Sequence, residues 1–137
     1  MSSDPAQGTI LIVDDEAPLL RLISRVLERE GFATLTAKDG DEARGQLDEH
    51  RDEIAAAILD VQIPPNGVEE VVDHLEATCD GLAVIFASGD LPSPELSERI
   101  EGLGAAFLRK PFQPKAMVEM VRRHVEAGAS AQPEGAP

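Results

Sequence analysis

The stretch that most constrains this chain is Ala55-Ala56-Ala57-Ile58-Leu59-Asp60, an apolar run that ends in an acid and is followed by Val61-Gln62-Ile63-Pro64. A short, wholly apolar segment bounded by turn residues reads as a strand buried on both faces of a parallel sheet. In such sheets ligands bind outside the carboxyl ends of the strands. Asp60 stands where this strand leaves the core, so its carboxylate is expected in that crevice. A single aspartate there is more simply a helix N-cap or a loop residue; the other strands decide the matter.

Four further runs alternate with helical patterns. Thr9 to Val13 is β-branched and ends in Asp14-Asp15-Glu16. Pro18 then suits a first helical turn. Leu19, Leu20, Leu22, Ile23, Val26 and Leu27 recur at helical spacing, with Gly31 as the stop. Phe32 to Ala37 reads as a strand and Asp39 to His50 as a polar helix with Ala43 and Leu47 inward. After the Asp60 strand, residues 64–67 form a turn, and Val68, Val71, Val72 and Leu75 mark a third helix running to about Cys79. Leu82 to Ala87 is the fourth strand, ending at Ser88-Gly89-Asp90. Ser93-Pro94 opens a fourth helix, whose inner face is Leu96, Ile100 and Leu103. Ala105 to Arg109 is the fifth strand, ending at Lys110-Pro111-Phe112. A last helix follows Pro114 and buries Met117, Val118, Val121 and Val125. Strict alternation with right-handed crossovers requires helices on both faces of a parallel sheet. The expected fold is a doubly wound α/β (βα)5 sheet of flavodoxin-like order 2-1-3-4-5, over residues 9–127. Residues 1–8 and the Ala/Gly/Ser/Pro tail, 128–137, are expected to be disordered.

Charge narrows the function. Twelve basic against 26 acidic residues give a net charge of -14, which repels nucleic acid and anionic lipid, so neither DNA nor membrane is an expected partner. No run approaches the roughly 18 apolar residues of a membrane helix, and the first eight residues carry no secretory pattern. One cysteine, Cys79, fits a reducing cytoplasm and is read as a small buried hydrophobe. His50, His74 and His124 lie scattered in helical stretches, without metal-ligand spacing, and are read as surface or boundary residues.

The strand order brings Asp14, Asp15, Asp60, Ser88 and Lys110 around one crevice. Two carboxylates about 4 Å apart repel by roughly 4 kcal/mol at an effective dielectric of ~20, so three of them call for a cation. An all-oxygen set suits Mg²⁺, or Mn²⁺. Asp60 is then placed to attack phosphorus, with Lys110 and the Ser88 hydroxyl holding the other oxygens and Gly89 leaving room beside Ser88. Each piece has an ordinary alternative. Acids after a strand favour a helix N-terminus, Lys110-Pro111 alone is a common strand exit, and a phenylalanine such as Phe107 is usually core.

The set Asp14-Asp15, Asp60, Ser88-Gly89 and Lys110-Pro111-Phe112 resembles the receiver (CheY-like) domain of two-component response regulators, of the stand-alone single-domain type, and the resemblance spans residues 8–127. It implies that Asp60 accepts a phosphoryl group from a histidine kinase or histidine phosphotransfer protein. It implies Mg²⁺ held by Asp15, Asp60 and the main-chain carbonyl of Gln62, with Asp14 acting through water. Ser88 and Phe107 correspond to the hydroxyl and aromatic that move together on phosphorylation. The domain would catalyse only its own phosphorylation and dephosphorylation. It would signal to an unidentified output protein, pass the phosphoryl group on, or form a phosphorylation-dependent homodimer through helix four, strand five and helix five. Against the family pattern, Gly67 falls one residue early and the segment from Gly104 to Phe107 is one residue short. Ser88 replaces the commoner Thr, Phe107 the frequent Tyr, and Gln62 and Asp90 occupy positions that tune dephosphorylation. The alternative reading is a receiver-like scaffold that binds a partner without phosphorylation. A phosphatase of the haloacid dehalogenase type is disfavoured, because it needs an acid where Gln62 stands and room for a substrate-binding insertion.

Overall fold

The structure is a computed structural model that describes residues 8–64, 67–78 and 81–130, with side chains to residue 126. Its elements alternate as expected: β1 (Thr9–Val13), α1 (Ala17–Arg29), β2 (Ala33–Ala37), α2 (Gly40–His50), β3 (Ile54–Asp60), α3 (Glu69–Thr78), β4 (Ala83–Ser88), α4 (Pro94–Leu103), β5 (Ala106–Arg109) and α5 (Pro114–Ser130). The strands form one parallel sheet in the order β2-β1-β3-β4-β5. This is the flavodoxin-like α/β fold. Most of the expected ends, 1–8 and 128–137, and Cys79 lie outside the described residues, as do positions 65 and 66 of the turn; of 128–130 only the helical backbone is described.

The two-residue period of a strand divides the core into two layers. Ile10, Ile12, Ala56, Ile58, Ile85, Ala87 and Leu108 point to one side and pack with Leu20, Ile23 and Leu27 of α1 and Met117, Val118 and Val121 of α5. Leu11, Val13, Ala57, Leu59, Val84 and Phe86 point to the other and meet Ala43 and Leu47 of α2, Val71, Val72 and Leu75 of α3 and Leu96 of α4. Thus α1 and α5 cover one face, and α2, α3 and α4 cover the other.

Local chemistry sets where the helices begin and end. Asp39 caps α2 by accepting from Glu42 N at 2.8 Å, and Ser93 caps α4 by accepting from Leu96 N at 3.1 Å. Pro18 and Pro94 sit in first turns. Gly104 ends α4 at φ 66°, and Gly67 takes φ 84° just before α3 while its N–H donates to Ile63 O at 2.8 Å. The early glycine therefore still closes the β3–α3 turn.

On α1, Leu22 is half exposed. The sheet covers the α1 stripe of Leu20, Ile23 and Leu27, and the apolar set of α1 is wider than that stripe. The expected inner face of α4 holds: Leu96 is buried, and Ile100 and Leu103 pack, partly buried, against the same core layer. The three histidines do lie at the surface boundary. His74 meets Asp48 at 2.7 Å, His50 meets Glu53 at 3.3 Å and His124 meets the Met120 carbonyl at 2.9 Å.

Candidate functional site

The parallel sheet delivers its strand ends to one edge, and the acidic residues converge there. Carboxylate oxygens of Asp14, Asp15 and Asp60 all lie within 4.8 Å of one another. Asp14 and Asp60 are buried, at 3% and 6% exposure, whereas Asp15 faces solvent. Burial at the head of apolar strands is what makes the cluster unusual, since a solvated set of acids would cost little.

Each buried carboxylate is held. Asp14 Oδ1 accepts from Glu16 N at 2.9 Å, in the turn that starts α1, and Asp14 Oδ2 accepts from Lys110 Nζ at 2.7 Å. Asp60 Oδ1 accepts from Gln62 N at 3.1 Å, and Lys110 Nζ stands 3.6 Å from Asp60 Oδ2. Lys110 is placed by its own backbone, whose N–H donates to Ser88 O at 2.8 Å. One ammonium therefore serves two buried acids.

The electrostatics follow from this set. Burial raises the pKa of Asp60 above its ordinary value. The Gln62 N–H and the Lys110 charge oppose that rise, while Asp14 and Asp15 add to it. Burial pulls the Lys110 ammonium down, but the hydrogen bond to Asp14 and the charges of Asp60, Asp14 and Glu16 outweigh it, and its pKa ends above the usual lysine value. Three carboxylates and one ammonium leave an excess of two negative charges. An all-oxygen, doubly negative crevice matches a hard divalent cation in both ligand type and charge.

The remaining expected residues flank this cluster. Ser88 is buried at the end of β4, and its Oγ accepts from Asp90 N at 3.1 Å. A methyl group added at Gly89 would meet no atom within 4 Å, so the space beside Ser88 is open. Phe107, paired in register with Phe86, is only partly buried against the α2–α4 core layer. Gln62 Nε2 reaches Asp90 Oδ2 at a long 3.4 Å across the mouth of the crevice. Strand alternation sorts these groups. Asp60 continues the parity of Ala56 and Ile58 toward α1 and α5, and Lys110 that of Leu108, whereas Ser88, Phe107 and Arg109 fall on the α2–α4 side.

One further feature carried no sequence signal and a second carried little. Arg109 Nε donates to Gly89 O at 2.9 Å, an interaction that depends on the register of β4 against β5. A cavity of about 670 Å³ opens next to the site between α1 and α5, walled by Leu19, Leu22, Val26, Phe112 and Met117, with Glu16, Gly89 and Lys110 at its rim. The excess of apolar residues on α1 was the only hint of it.

Comparison with known proteins matches this architecture. The family described as the response regulator receiver domain matches residues 10–122. The chain is 30% identical over 118 residues to the phosphate regulon transcriptional regulatory protein PhoB of Escherichia coli, covering 82% of this chain and 49% of that protein. It is 29% identical over 119 residues to the DNA-binding response regulator MtrA of Mycobacterium tuberculosis, covering 87% and 51%. It spans about half the length of these relatives. Among solved structures, a response regulator receiver domain protein (CheY-like) from Methanospirillum hungatei JF-1 aligns with a TM-score of 0.77 at 25% identity, over 90% of this chain and 97% of that one.

Proposed function

Because the chain belongs to the response regulator receiver domain family, we propose that it is a phosphorylation switch in which Asp60 accepts a phosphoryl group from a histidine kinase or histidine phosphotransfer protein. The family is a signalling domain of two-component systems rather than a classical enzyme. The observation that carries the reading is the buried Asp60 carboxylate, set against Asp14, Asp15 and Lys110 at the strand ends.

Mg²⁺, with Mn²⁺ as a substitute, would be held by Asp15, Asp60 and the Gln62 carbonyl, with Asp14 acting through water. Bound there, the cation neutralises charge on the phosphoryl oxygens. The chain's own residues do the rest. A deprotonated Asp60 oxygen forms the bond to phosphorus as the bond to the donor nitrogen breaks. The Gln62 N–H keeps the carboxylate oriented, and Lys110 lies within reach of a phosphoryl oxygen. Ser88 would exchange the Asp90 N–H for a phosphoryl oxygen, and Phe107 would follow it inward from its half-buried position. Phosphorylation adds about -1.5 to -2 charge to a crevice that is already negative, so some rearrangement of the flanking groups is expected.

The apolar cavity between α1 and α5 lies on the side to which Asp60 and Lys110 point, and supports docking of the phosphodonor protein there. The α4–β5–α5 face would then carry the output as a protein contact or a phosphorylation-dependent homodimer. With a net charge of -14 the domain is not expected to touch nucleic acid itself, although MtrA is by name DNA-binding and PhoB transcriptional. Among the described residues no helix is long and apolar enough to cross a membrane.

The test is intact mass after incubation with acetyl phosphate and Mg²⁺, wild type beside Asp60→Asn. A Mg²⁺-dependent gain of one phosphoryl group, absent in the variant, is expected. No gain in a folded wild type would overturn the switch and favour a phosphorylation-independent scaffold.

A further inference from the structure

Loop 88–90 is held by two contacts from residues 109 and 110, by one within the loop, and by the long 3.4 Å contact of Gln62 Nε2 with Asp90 Oδ2. Its Ser88 carbonyl accepts from Lys110 N at 2.8 Å and its Gly89 carbonyl from Arg109 Nε at 2.9 Å. Within the loop, Asp90 N donates to Ser88 Oγ at 3.1 Å. The first is a backbone contact that any residue at 110 would make. The second is particular to this side chain. Arg109 stands opposite Ser88 in the β4–β5 register and on the same side of the sheet as Phe107. Its guanidinium thus bridges the end of β5 to the residue that follows the switch hydroxyl. A charge-assisted hydrogen bond to a carbonyl is stronger than a neutral one.

We propose that Arg109 is a positioning residue that holds loop 88–90 in its resting arrangement and so opposes the inward turn of Ser88. Turning Ser88 toward Asp60 breaks the bond from Asp90 N and drags the adjacent Gly89 carbonyl. While Arg109 grips that carbonyl, the turned state is disfavoured. The residue does not touch the phosphoryl group and acts only through Ser88. This rests on the phosphoacceptor reading above.

The sign of the effect separates positioning from simple charge. If Arg109 merely attracted anions, its removal would weaken binding of a phosphoryl mimic. If it restrains the loop, removal strengthens binding, because the competent state is already more populated. The chain has no tryptophan, so the readout is amide NMR. Wild type, Arg109→Ala and Arg109→Lys are titrated with beryllofluoride in Mg²⁺. Arg109→Ala is expected to reach half-saturation at roughly three- to fivefold lower beryllofluoride, the size of one modest hydrogen bond. The amides of Gly89 and Phe107 in the free variant should lie shifted along the line joining free and bound wild type, and Arg109→Lys should return both readouts toward wild type. An unchanged or raised half-saturation in Arg109→Ala, with wild type responding normally, overturns the positioning role and leaves the acceptor reading intact. A wild type that does not respond at all overturns both.

Discussion

The two helical layers of this molecule are held by different means. On the α2–α3–α4 side, charged groups lace neighbouring helices together. Arg44 of α2 bonds Asp41 on its own helix and Glu70 of α3, the latter at 2.9 Å, and Asp48 of α2 meets His74 of α3. Arg99 of α4 grips Glu69, Asp73 and Glu76 of α3 at 2.7, 2.6 and 2.9 Å. On the α1–α5 side, Arg122 pairs with Glu30 and lies 5.9 Å from the centre of the Phe32 ring, but an open apolar cavity separates the helices nearer the site, and Leu22 is left half in solvent. Strand parity ties each side to a different half of the proposed switch. Asp60 and Lys110 belong to the side with the cavity, and Ser88, Phe107 and Arg109 to the laced side. One layer is open where a donor protein would approach, and the other is tethered on the side of Ser88, Phe107 and Arg109.

The largest expected effect comes from removing the cation under the open side. Lys110→Met leaves Asp14 and Asp60 buried without their ammonium and should destabilise the fold by about 2–3 kcal/mol near neutral pH, measured by urea unfolding. The pH dependence has a definite sign. The folded pKa of Asp60 lies above the unfolded value of about 3.9, so the cost of burying its charge is absent below that value and grows as pH rises through the folded pKa. The Lys110 contribution is fully present below the ordinary lysine pKa and is lost as pH rises through its raised folded value. The deficit of the variant should therefore be greatest between these ranges, shrinking as Asp60 protonates in acid and again as wild-type Lys110 deprotonates in strong alkali. A deficit independent of pH would show that Lys110 matters by packing alone.

Next in size is a test of the cavity. Leu22→Asp places a charge in the apolar groove beside the site but outside the core. It should leave unfolding free energy within about 0.5 kcal/mol of wild type, as surface substitutions do. Phosphotransfer from a donor protein should slow by roughly tenfold, about 1.4 kcal/mol, while phosphorylation by acetyl phosphate stays unchanged. Equal loss with both donors would place the effect in the acceptor site rather than in docking.

The five strands, their order and the convergence of Asp14, Asp15, Asp60 and Lys110, with Ser88 flanking them, were legible because they rest on local signals, namely apolar runs, caps and the residue at each strand end. Val71, Val72 and Leu75 lie inward as their spacing predicts, since a helix stripe is set by backbone geometry. The exposure of Leu22 is not legible, because periodicity gives the width of an apolar face, not how much of it a neighbouring element covers. The Arg109–Gly89 bond and the Arg99 cluster join residues 20 to 30 positions apart and depend on register and helix docking, for which a single sequence has no marker.

The smallest expected effect tests the tethered side. Arg99 holds three carboxylates, yet all three are exposed, and exposed ion pairs contribute little each because water and salt compete for them. Arg99→Ala is expected to cost about 0.5–1 kcal/mol in total, less than the number of contacts suggests. Raising salt to about 1 M shortens the screening length to roughly 3 Å, so the difference from wild type should shrink to a few tenths of a kcal/mol. Phosphotransfer from the donor protein should be unaffected, which is the converse of Leu22→Asp. Amide exchange should quicken in α4 and not in α5, because α4 keeps only Leu96 fully buried while α5 retains Met117, Val118 and Val121. If exchange quickened equally in both helices, the two layers would be one cooperative unit, and the division between an open side and a tethered side would fail.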